Sequence, residues 1–510
     1  MVDIGGLLVQ DTTPQAQTSV AVKADAVTGA DGYPRRWAML PVILIAMFMA
    51  GFDIWAVNVA APSLQRDLHV SDAALQLIVG GYAFMYASGM VTGGRLGDLF
   101  GYKRLFMIGV VTFALASLAC GIAPSAGVLV AFRLVQGLTG AVMVPQVVAL
   151  ITATFPARER SKAIGFYGAT LGLGFVSGQI LGGGLIQANI FGLGWRAIFL
   201  VNVPVGVIAL IVAAVVVPRA RGQRRPRLDP LGAIGVSGGL ALALVPLTLG
   251  RDEGWPVWTW VSLAAAVPVL AATLAWERRL TRAGGEPLLN LALFRDRAFS
   301  AGLLLNFASL FFFGSFMFVL TLLLQSGLGL SPLHAGIVNL PLALTFIAMT
   351  LLGPRVAARL GPRSITLGAV AAILGALVLA LTAVHFGGHL TGWETAPGTA
   401  LIGIGQGLMV PSLMSAVLSH VRPEQAGAAA GVLTTTQQFS IASGVAVIGA
   451  VFYEVIGGAP TRASFVTGLI VVAWVDVALL VIAALLTFLL PRRVVAGASA
   501  GPRILDIPGE

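Results

Sequence analysis

The chain has 510 residues, of which 57% are apolar and only 10% charged, against about 25% charged residues in an ordinary soluble domain. So few charges cannot coat the several domains that a soluble protein of this length would form, and the high apolar content excludes a disordered chain. One cysteine, Cys120, excludes a disulfide scaffold, while the net charge of +10 leaves a nucleic-acid partner open until the charges are placed.

Residues 1–36 are polar, with Asp3, Asp11, Asp25 and Asp31 against Lys23, and read as a disordered cytosolic tail. A secretory signal would begin basic and run at once into a short apolar core. Fourteen apolar segments follow. They lie at 37–60, 73–93, 105–123, 128–151, 163–187, 197–217, 231–250, 257–276, 300–324, 335–358, 365–385, 398–419, 429–453 and 465–490. Each can cross ~30 Å of hydrocarbon as a helix rising ~1.5 Å per residue. Barrel strands would alternate apolar and polar residues, and these runs do not. The expected fold class is an all-α polytopic membrane protein.

Loop by loop, with the N-terminus inside, 26 of the 31 Lys and Arg residues fall on one side. Four fall on the other (Arg66, Arg196, Arg251 and Arg462), and Arg133 lies within a span. By the positive-inside rule both termini are cytosolic. The basic balance is then a topology signal, and the nucleic-acid reading falls away. The loops are short apart from the tails and 277–299, and there is no GxxxxGK[ST], no HExxH and no Cys/His ligand cluster. A polytopic bundle without these is most simply a secondary transporter. An enzyme would need clustered acids, histidines or a nucleophile, and a receptor would need a sizeable sensory segment.

A weak repeat organises the spans. The stretch Gly94 to Arg104 after the second span is echoed at Pro354 to Arg363 after the tenth. Spans 1–6 then match spans 9–14, with two extra. The expected organisation is a six-helix bundle at 37–217, two helices and linkers at 218–299, a second bundle at 300–490 and a cytosolic tail at 491–510.

A charge inside a span costs at least ~2.5–3.5 kcal/mol on insertion scales, so each needs a reason. The acids within spans are Asp53 and Asp476, with Glu454 at the outer end of span 13; Arg133 is the one base. A carboxyl whose burial and neighbouring charges oppose one another titrates in a useful range, which suits proton coupling at Asp53. The competing reading is a carboxylate permanently paired with an arginine. Arg133 cannot carry the proton itself. It can tune a neighbouring acid, hold an anionic group, or bond to backbone carbonyls at a kink. In span 5, Gly174, Gly178 and Gly182 leave one face almost bare, for close helix approach, for bending, or for static packing. Trp55, Asn58, Gln136, Phe311 and Asp476 are candidate cavity residues. For the phenylalanines of span 9, lipid-facing or core packing competes with an aromatic lining.

These motifs resemble the major facilitator superfamily. Gly94, Leu96, Asp98, Gly101, Lys103 and Arg104 match its loop 2–3 signature, with Leu99 where a basic residue is usual. Arg133, Gln136 and Gly137 resemble its span-4 proton-relay motif. Gly165, Gly174, Gly178, Gly182 and Gly183 resemble its antiporter motif, with Gln179 in the proline's place. The fourteen spans and the segments Asp53 to Pro62, Trp195 to Gly206, Pro287 to Phe299 and Gly427 to Gly431 are similar to its 14-spanner drug:proton antiporter branch. The resemblance implies two six-helix bundles plus two extra helices, rocking about a midplane cavity. It implies Asp98 as a gate latch, with Arg104 and Arg158 as candidate partners, and Trp55, where Thr is common, narrowing the cavity. It also implies proton-coupled export of hydrophobic drug-like or antibiotic-like small molecules, Asp53 holding the proton and Arg133 tuning it. The alternative is a dedicated carrier of one metabolite, such as a self-made antibiotic, an amino acid or a siderophore. The resemblance further implies a functional monomer. No cofactor is expected beyond the proton, and the Arg-over-Lys and Ala/Gly-rich bias suggests a GC-rich genome and with it a bacterial plasma membrane.

Overall fold

The computed structural model describes residues 32–220, 229–250, 253–285, 287, 291, 293–361, 363–419, 426–458 and 460–487. The tails expected at 1–36 and 491–510 lie outside the described residues, apart from 32–36, as do Arg221, Arg224, Arg225, Arg227, Arg251 and Arg422. Each apolar segment folds as helix, because a backbone in hydrocarbon can satisfy its N–H and C=O groups only within itself. The first helices are α1 (Arg36–Leu68), α2 (Asp72–Phe100), α3 (Tyr102–Gly121), α4 (Ala126–Thr154) and α5 (Ala157–Ala188). A short turn α6 (Ala197–Leu200) leads into α7 (Asn202–Val216), followed by α8 (Pro230–Leu249) and α9 (Val257–Arg282). Then come α10 (Arg297–Leu322), α11 (Pro332–Val338), α12 (Leu340–Leu360) and α13 (Arg363–Phe386). The last are α14 (Ala396–Ser419), α15 (Ala426–Ile456) and α16 (Arg462–Thr487).

Twelve of these stretches are long and apolar enough to cross a membrane unbroken, and the bent pair α11 and α12 makes thirteen among the described residues. The segment left over is α14, a helix of 24 residues. The expected single helix at 335–358 is thus two helices bent by 45°. Pro341 sits in the first turn of α12, where it lacks an N–H and crowds the carbonyl four residues back, so the helix breaks at Asn339. Elsewhere the ends follow local chemistry. The Ser71 hydroxyl accepts from Ala74 N at 3.2 Å to start α2. Gly101, at φ 95°, takes a backbone shape that only glycine adopts readily and turns the chain from α2 into α3.

Helices α1 to α7 pack largely among themselves, α2 on α4, α1 on α5 and α3 on α4. Helices α10 to α16 do likewise, α13 and α12 on α14, α10 on α15 and α13 on α16. Helices α8 and α9 pair with each other, and α8 touches α2 and α15. The most apolar window of α9 is only 17% buried, against 83% for the stretch that contains α10, so α9 is an outer helix whose apolar side chains the other helices leave uncovered.

The two groups of helices repeat one internal detail. Gly137 on α4 lies so close to α2 that a Cβ would stand 2.3 Å from the Tyr82 carbonyl oxygen. Gly407 on α14 lies against α12 in the same way, 2.5 Å from the Phe346 carbonyl oxygen. Each follows a glutamine, Gln136 or Gln406.

The basic loops mark one end of the bundle, the basic face. Ties between the two groups of helices gather toward the opposite end, the far face. Gln325 Nε2 donates to the Val59 carbonyl at 2.8 Å, and Ser331 Oγ donates to Gln187 Oε1 at 2.8 Å. Thr435 Oγ1 donates to the Ala87 carbonyl at 3.2 Å, near the middle of α2.

Candidate functional site: a buried acid, arginine and glutamine

Asp53 on α1 and Arg133 on α4 are 1% and 0% exposed. They meet in the interior of the first group of helices, where Arg133 Nη1 donates to Asp53 Oδ2. Gln136, one helical turn along α4 from Arg133, completes the site. Its Nε2 donates to Asp53 Oδ1 at 2.9 Å and to Ser117 Oγ at 2.6 Å. Its Oε1 accepts from Arg133 Nη1 at 2.7 Å and has Cys120 Sγ at 3.6 Å. All the hydrogen-bonding capacity of that amide is committed. Asn202 on α7 donates to the same Ser117 hydroxyl at 3.0 Å. Arg133 Nε donates to the Ile78 carbonyl at 2.9 Å, and the guanidinium lies over the Tyr82 ring at 4.5 Å. Arg133 Nη2 has no partner among the described residues.

The site therefore draws α1, α2, α3, α4 and α7 onto one ion pair. A buried pair needs its charges balanced and most of its remaining polar atoms satisfied. Here the carboxylate accepts from two residues and the cation is balanced by one acid. Chemically, the arrangement can hold a charge or a proton on Asp53 while water is kept out.

Trp55 follows Asp53 by two residues and points elsewhere. Its ring meets Phe175 of α5 at 4.8 Å and Phe313 of α10 at 5.3 Å. Phe346 of α12 adds to these, 5.7 Å from Phe175 and 6.2 Å from Phe313. This four-ring cluster spans the two groups of helices. Phe311 is not in it, and pairs with Phe307 at 5.9 Å. Asn58 is 4% exposed and donates to its own helix at the Ile54 carbonyl, 3.0 Å away. Gln136 sits in the acid network rather than beside Trp55. Asp476 lies apart from both, on α16 beside Ser315. The five candidate cavity residues thus occupy several separate places.

The bare face of α5 lies on α1. Gly174 packs on Gly51, and Gly182 on Ala56. A Cβ at Gly178 would stand 2.6 Å from that of Trp55, so this glycine makes room for the tryptophan. Farther along, Gly183 meets the Pro332 carbonyl oxygen at 2.5 Å from an added Cβ. Gln179 Oε1 accepts from Asn339 Nδ2 at 3.4 Å, so the residue in the proline's place reaches the break between α11 and α12.

In the loop motif, Asp98 accepts a hydrogen bond from the Tyr102 hydroxyl at 2.6 Å. Among the described residues it forms no ion pair within 4.0 Å with Arg104, and the side chain of Arg158 lies outside the described residues. Lys103 Nζ donates to the Ala214 carbonyl at 2.7 Å, Gly94 lies near Pro145, and Arg95 donates to the Pro287 carbonyl.

Sequence reasoning passed over Ser117, Tyr82, Phe175 and Phe346. Serines and aromatics are ordinary in apolar helices, so nothing marks them before the helices are packed. Asn202 carried a signal, as an amide at the start of an otherwise apolar helix.

A family model described as Major Facilitator Superfamily matches residues 43–445. The probable actinorhodin transporter of Streptomyces coelicolor is 40% identical over 85% of this chain and 75% of its own. The tetracenomycin C resistance and export protein of Streptomyces glaucescens is 34% identical over 83% of this chain and 77% of its own. The multidrug resistance protein Stp of Mycobacterium tuberculosis is 31% identical over 80% of this chain and 74% of its own. Of the solved structures, the peptide transporter POT in complex with sulfate superposes with a TM-score of 0.63 at 18% identity, covering 88% of this chain and 95% of that one. A bacterial homologue of the human lysosomal transporter Spinster gives 0.61 at 18% identity, covering 90% and 97%. At such identities the structures speak for the fold alone. With a family model over most of its length and relatives above 30% identity, the chain belongs to the Major Facilitator Superfamily.

Proposed function

We propose that this membrane protein is a proton-coupled exporter of hydrophobic, antibiotic-like small molecules that works by alternating access, with Asp53 as the proton-coupling acid. The observation that carries the reading is the enclosed contact of Asp53 with Arg133 and Gln136. The names of the relatives, an actinorhodin transporter, a tetracenomycin C export protein and a multidrug resistance protein, support the class of cargo. We take the chain to cross the membrane fourteen times, as six, two and six helices, with the basic face cytosolic. The ties at the far face then close the outer side, and the structure is inward-facing.

Protonating Asp53 removes the negative half of the pair. Arg133, with Nη2 already unpartnered, must then seek a new acceptor, and α1 loses its tie to α4. Asp53 and Trp55 share α1, so the change reaches the ring cluster where the two bundles meet. The glycine face of α5 lets α1 shift without side chains to unlock. Asp98 would close the cytosolic side in the opposite state, its charge meeting a cation or a helix N-terminus of the other bundle. Inward proton flow supplies ~2.3 kcal/mol per charge per 100 mV of membrane potential. A second reading keeps the fold and narrows the cargo to one metabolite, since two of these relatives are named for a single antibiotic each.

The test is purified protein in vesicles under an imposed pH gradient. Asp53→Asn should insert normally and lose substrate-dependent proton movement; wild-type coupling in that variant would end the proposal. A growth-inhibition panel separates the two readings, because a dedicated exporter protects against one class of compound.

A further inference from the structure

We propose that Asp476 is a second proton-binding site, set in the second group of helices, and that it carries its proton in the conformation seen here. Asp476 is 1% exposed on α16. Its carboxyl enters a pocket whose other lining is wholly apolar, including Phe312, Phe316, Leu379, Leu469 and Val472. The polar group within reach is the Ser315 hydroxyl of α10, 3.3 Å from Oδ1. That hydroxyl has one hydrogen and a nearer acceptor, the Phe312 carbonyl at 2.8 Å. Once that hydrogen is committed, Ser315 Oγ can only accept. The 3.3 Å contact is then a hydrogen bond when the carboxyl bears a proton and donates it.

Among the described residues no cation offers an alternative. The charged or titratable groups on the elements packed against α16 are Arg297 on α10, Arg363 and His385 on α13, His389 after it, and Tyr453 and Glu454 on α15. None of them lines the pocket, and neither does Arg462 of α16 itself. An ionised carboxyl without a partner in such surroundings takes up a proton rather than stay charged. The void beside it has room for roughly one water molecule. Release belongs to a conformation in which solvent water reaches the carboxyl: the O–H bond of Asp476 breaks, the proton passes to that water as hydronium, and the carboxylate regains it by the reverse step. Proton loss reverses the tie between α16 and α10, because the Ser315 hydroxyl must then turn from the Phe312 carbonyl to donate to the carboxylate. Because α10 also carries Phe313 of the ring cluster, the charge state of Asp476 bears on the helix that faces Trp55.

The charge state needs no transport reading; the proton count does rest on it, and two measurements keep them apart. Infrared difference spectra of wild type against Asp476→Asn, taken without substrate, should show a protonated carboxylic C=O band at neutral pH that the variant lacks. Ser315→Ala should keep the band and move it to higher wavenumber, since the acceptor is gone. Spectra of wild type and Asp476→Asn without a difference in that region would overturn the proposal. In vesicles, the substrate gradient held by a given pH gradient should fall from about two protons per substrate in wild type to about one in Asp476→Asn. Equal values in the two proteins would also overturn it. A wild-type protein that moves no protons with any substrate would sink the export reading instead, and the infrared result would decide on Asp476 alone.

Discussion

The interiors of the two groups of helices are built on one plan and filled with different chemistry. On α4, Gln136 precedes a glycine pressed against the second helix of its group, and its amide reaches the first helix at Asp53. On α14, Gln406 precedes a glycine pressed against α12, and its amide oxygen accepts from Ser309 of α10 at 2.8 Å. Three residues before Gln136 stands Arg133. Three before Gln406 stands Gly403, where a Cβ would lie 2.2 Å from Thr345 Oγ1 and 2.3 Å from the Leu342 carbonyl oxygen. A side chain at that position would force α12 and α14 apart. Among the described residues, the first group thus encloses a charged pair, whereas the second holds neutral hydrogen bonds and an acid, Asp476, that forms no ion pair. The close helix packing is shared, while the buried ion pair of Asp53 and Arg133 stands in one half.

The sharpest test of that difference is to remove the cation. Arg133→Ala leaves Asp53 buried without compensation, at a cost of ~3–5 kcal/mol. Thermal unfolding of the detergent-solubilised protein should show the loss, and Asp53→Asn on top of Arg133→Ala should restore part of it. A double variant no more stable than Arg133→Ala would mean the pair is not the unit drawn here. Arg133→Lys should rescue poorly, because one ammonium cannot reproduce the fork that reaches Asp53, Gln136 and Ile78 together.

The shared plan is tested at its glycines. Gly137→Ala and Gly407→Ala each place a methyl group against a carbonyl oxygen, 2.3 and 2.5 Å away before anything moves. Overpacking of this kind costs ~1–3 kcal/mol. The two should lower the unfolding midpoint by similar amounts. A large effect at Gly137 beside none at Gly407 would show that the halves are not packed alike.

The glutamines then separate packing from function. Gln136→Leu should leave Asp53 and Ser117 short of a donor and abolish coupled transport in vesicles. Gln406→Leu removes neutral bonds worth ~0.5–1.5 kcal/mol each and should leave proton coupling intact. Equal transport defects would erase the functional difference between the halves.

How much of this was legible before folding follows from the same physics. Asp53 and Arg133 stood out because charges are rare in apolar runs, and the reading of a carboxylate held by an arginine describes their contact. The break at Asn339 was not seen, although Pro341 was in view, because an apolar run can continue through a proline. The ring cluster was half seen. Trp55 stands out beside Asp53, but its partner from span 9 is Phe313 rather than the expected Phe311. Two residues on a helix lie about 200° apart, so a choice between them needs the packed neighbour. Asp476 was visible as a buried acid, yet its partner Ser315 lies 161 residues away, and no local pattern joins them.

The smallest effect is expected where the two halves touch. Gln179 is 1% exposed and stands in the proline's place of the α5 motif, so its amide crosses to Asn339. At 3.4 Å the bond is long, and Gln179 Nε2 and Asn339 Oδ1 lack partners among the described residues. Gln179→Leu therefore exchanges a poorly satisfied amide for an apolar side chain of similar size and should change stability by less than ~1 kcal/mol. Its effect is expected in the balance between conformations, because the bond joins α5 of the first group of helices to the break between α11 and α12 in the second. Cysteines introduced at Gln187 and Ser331, which hydrogen-bond across that face, should cross-link less readily in the Gln179→Leu background. Unchanged cross-linking would mean that two close backbone approaches, Gly183 to the Pro332 carbonyl and Gly336 to the Gln179 carbonyl, hold the far face shut by themselves, and that the amide standing in for proline plays no part in closing it.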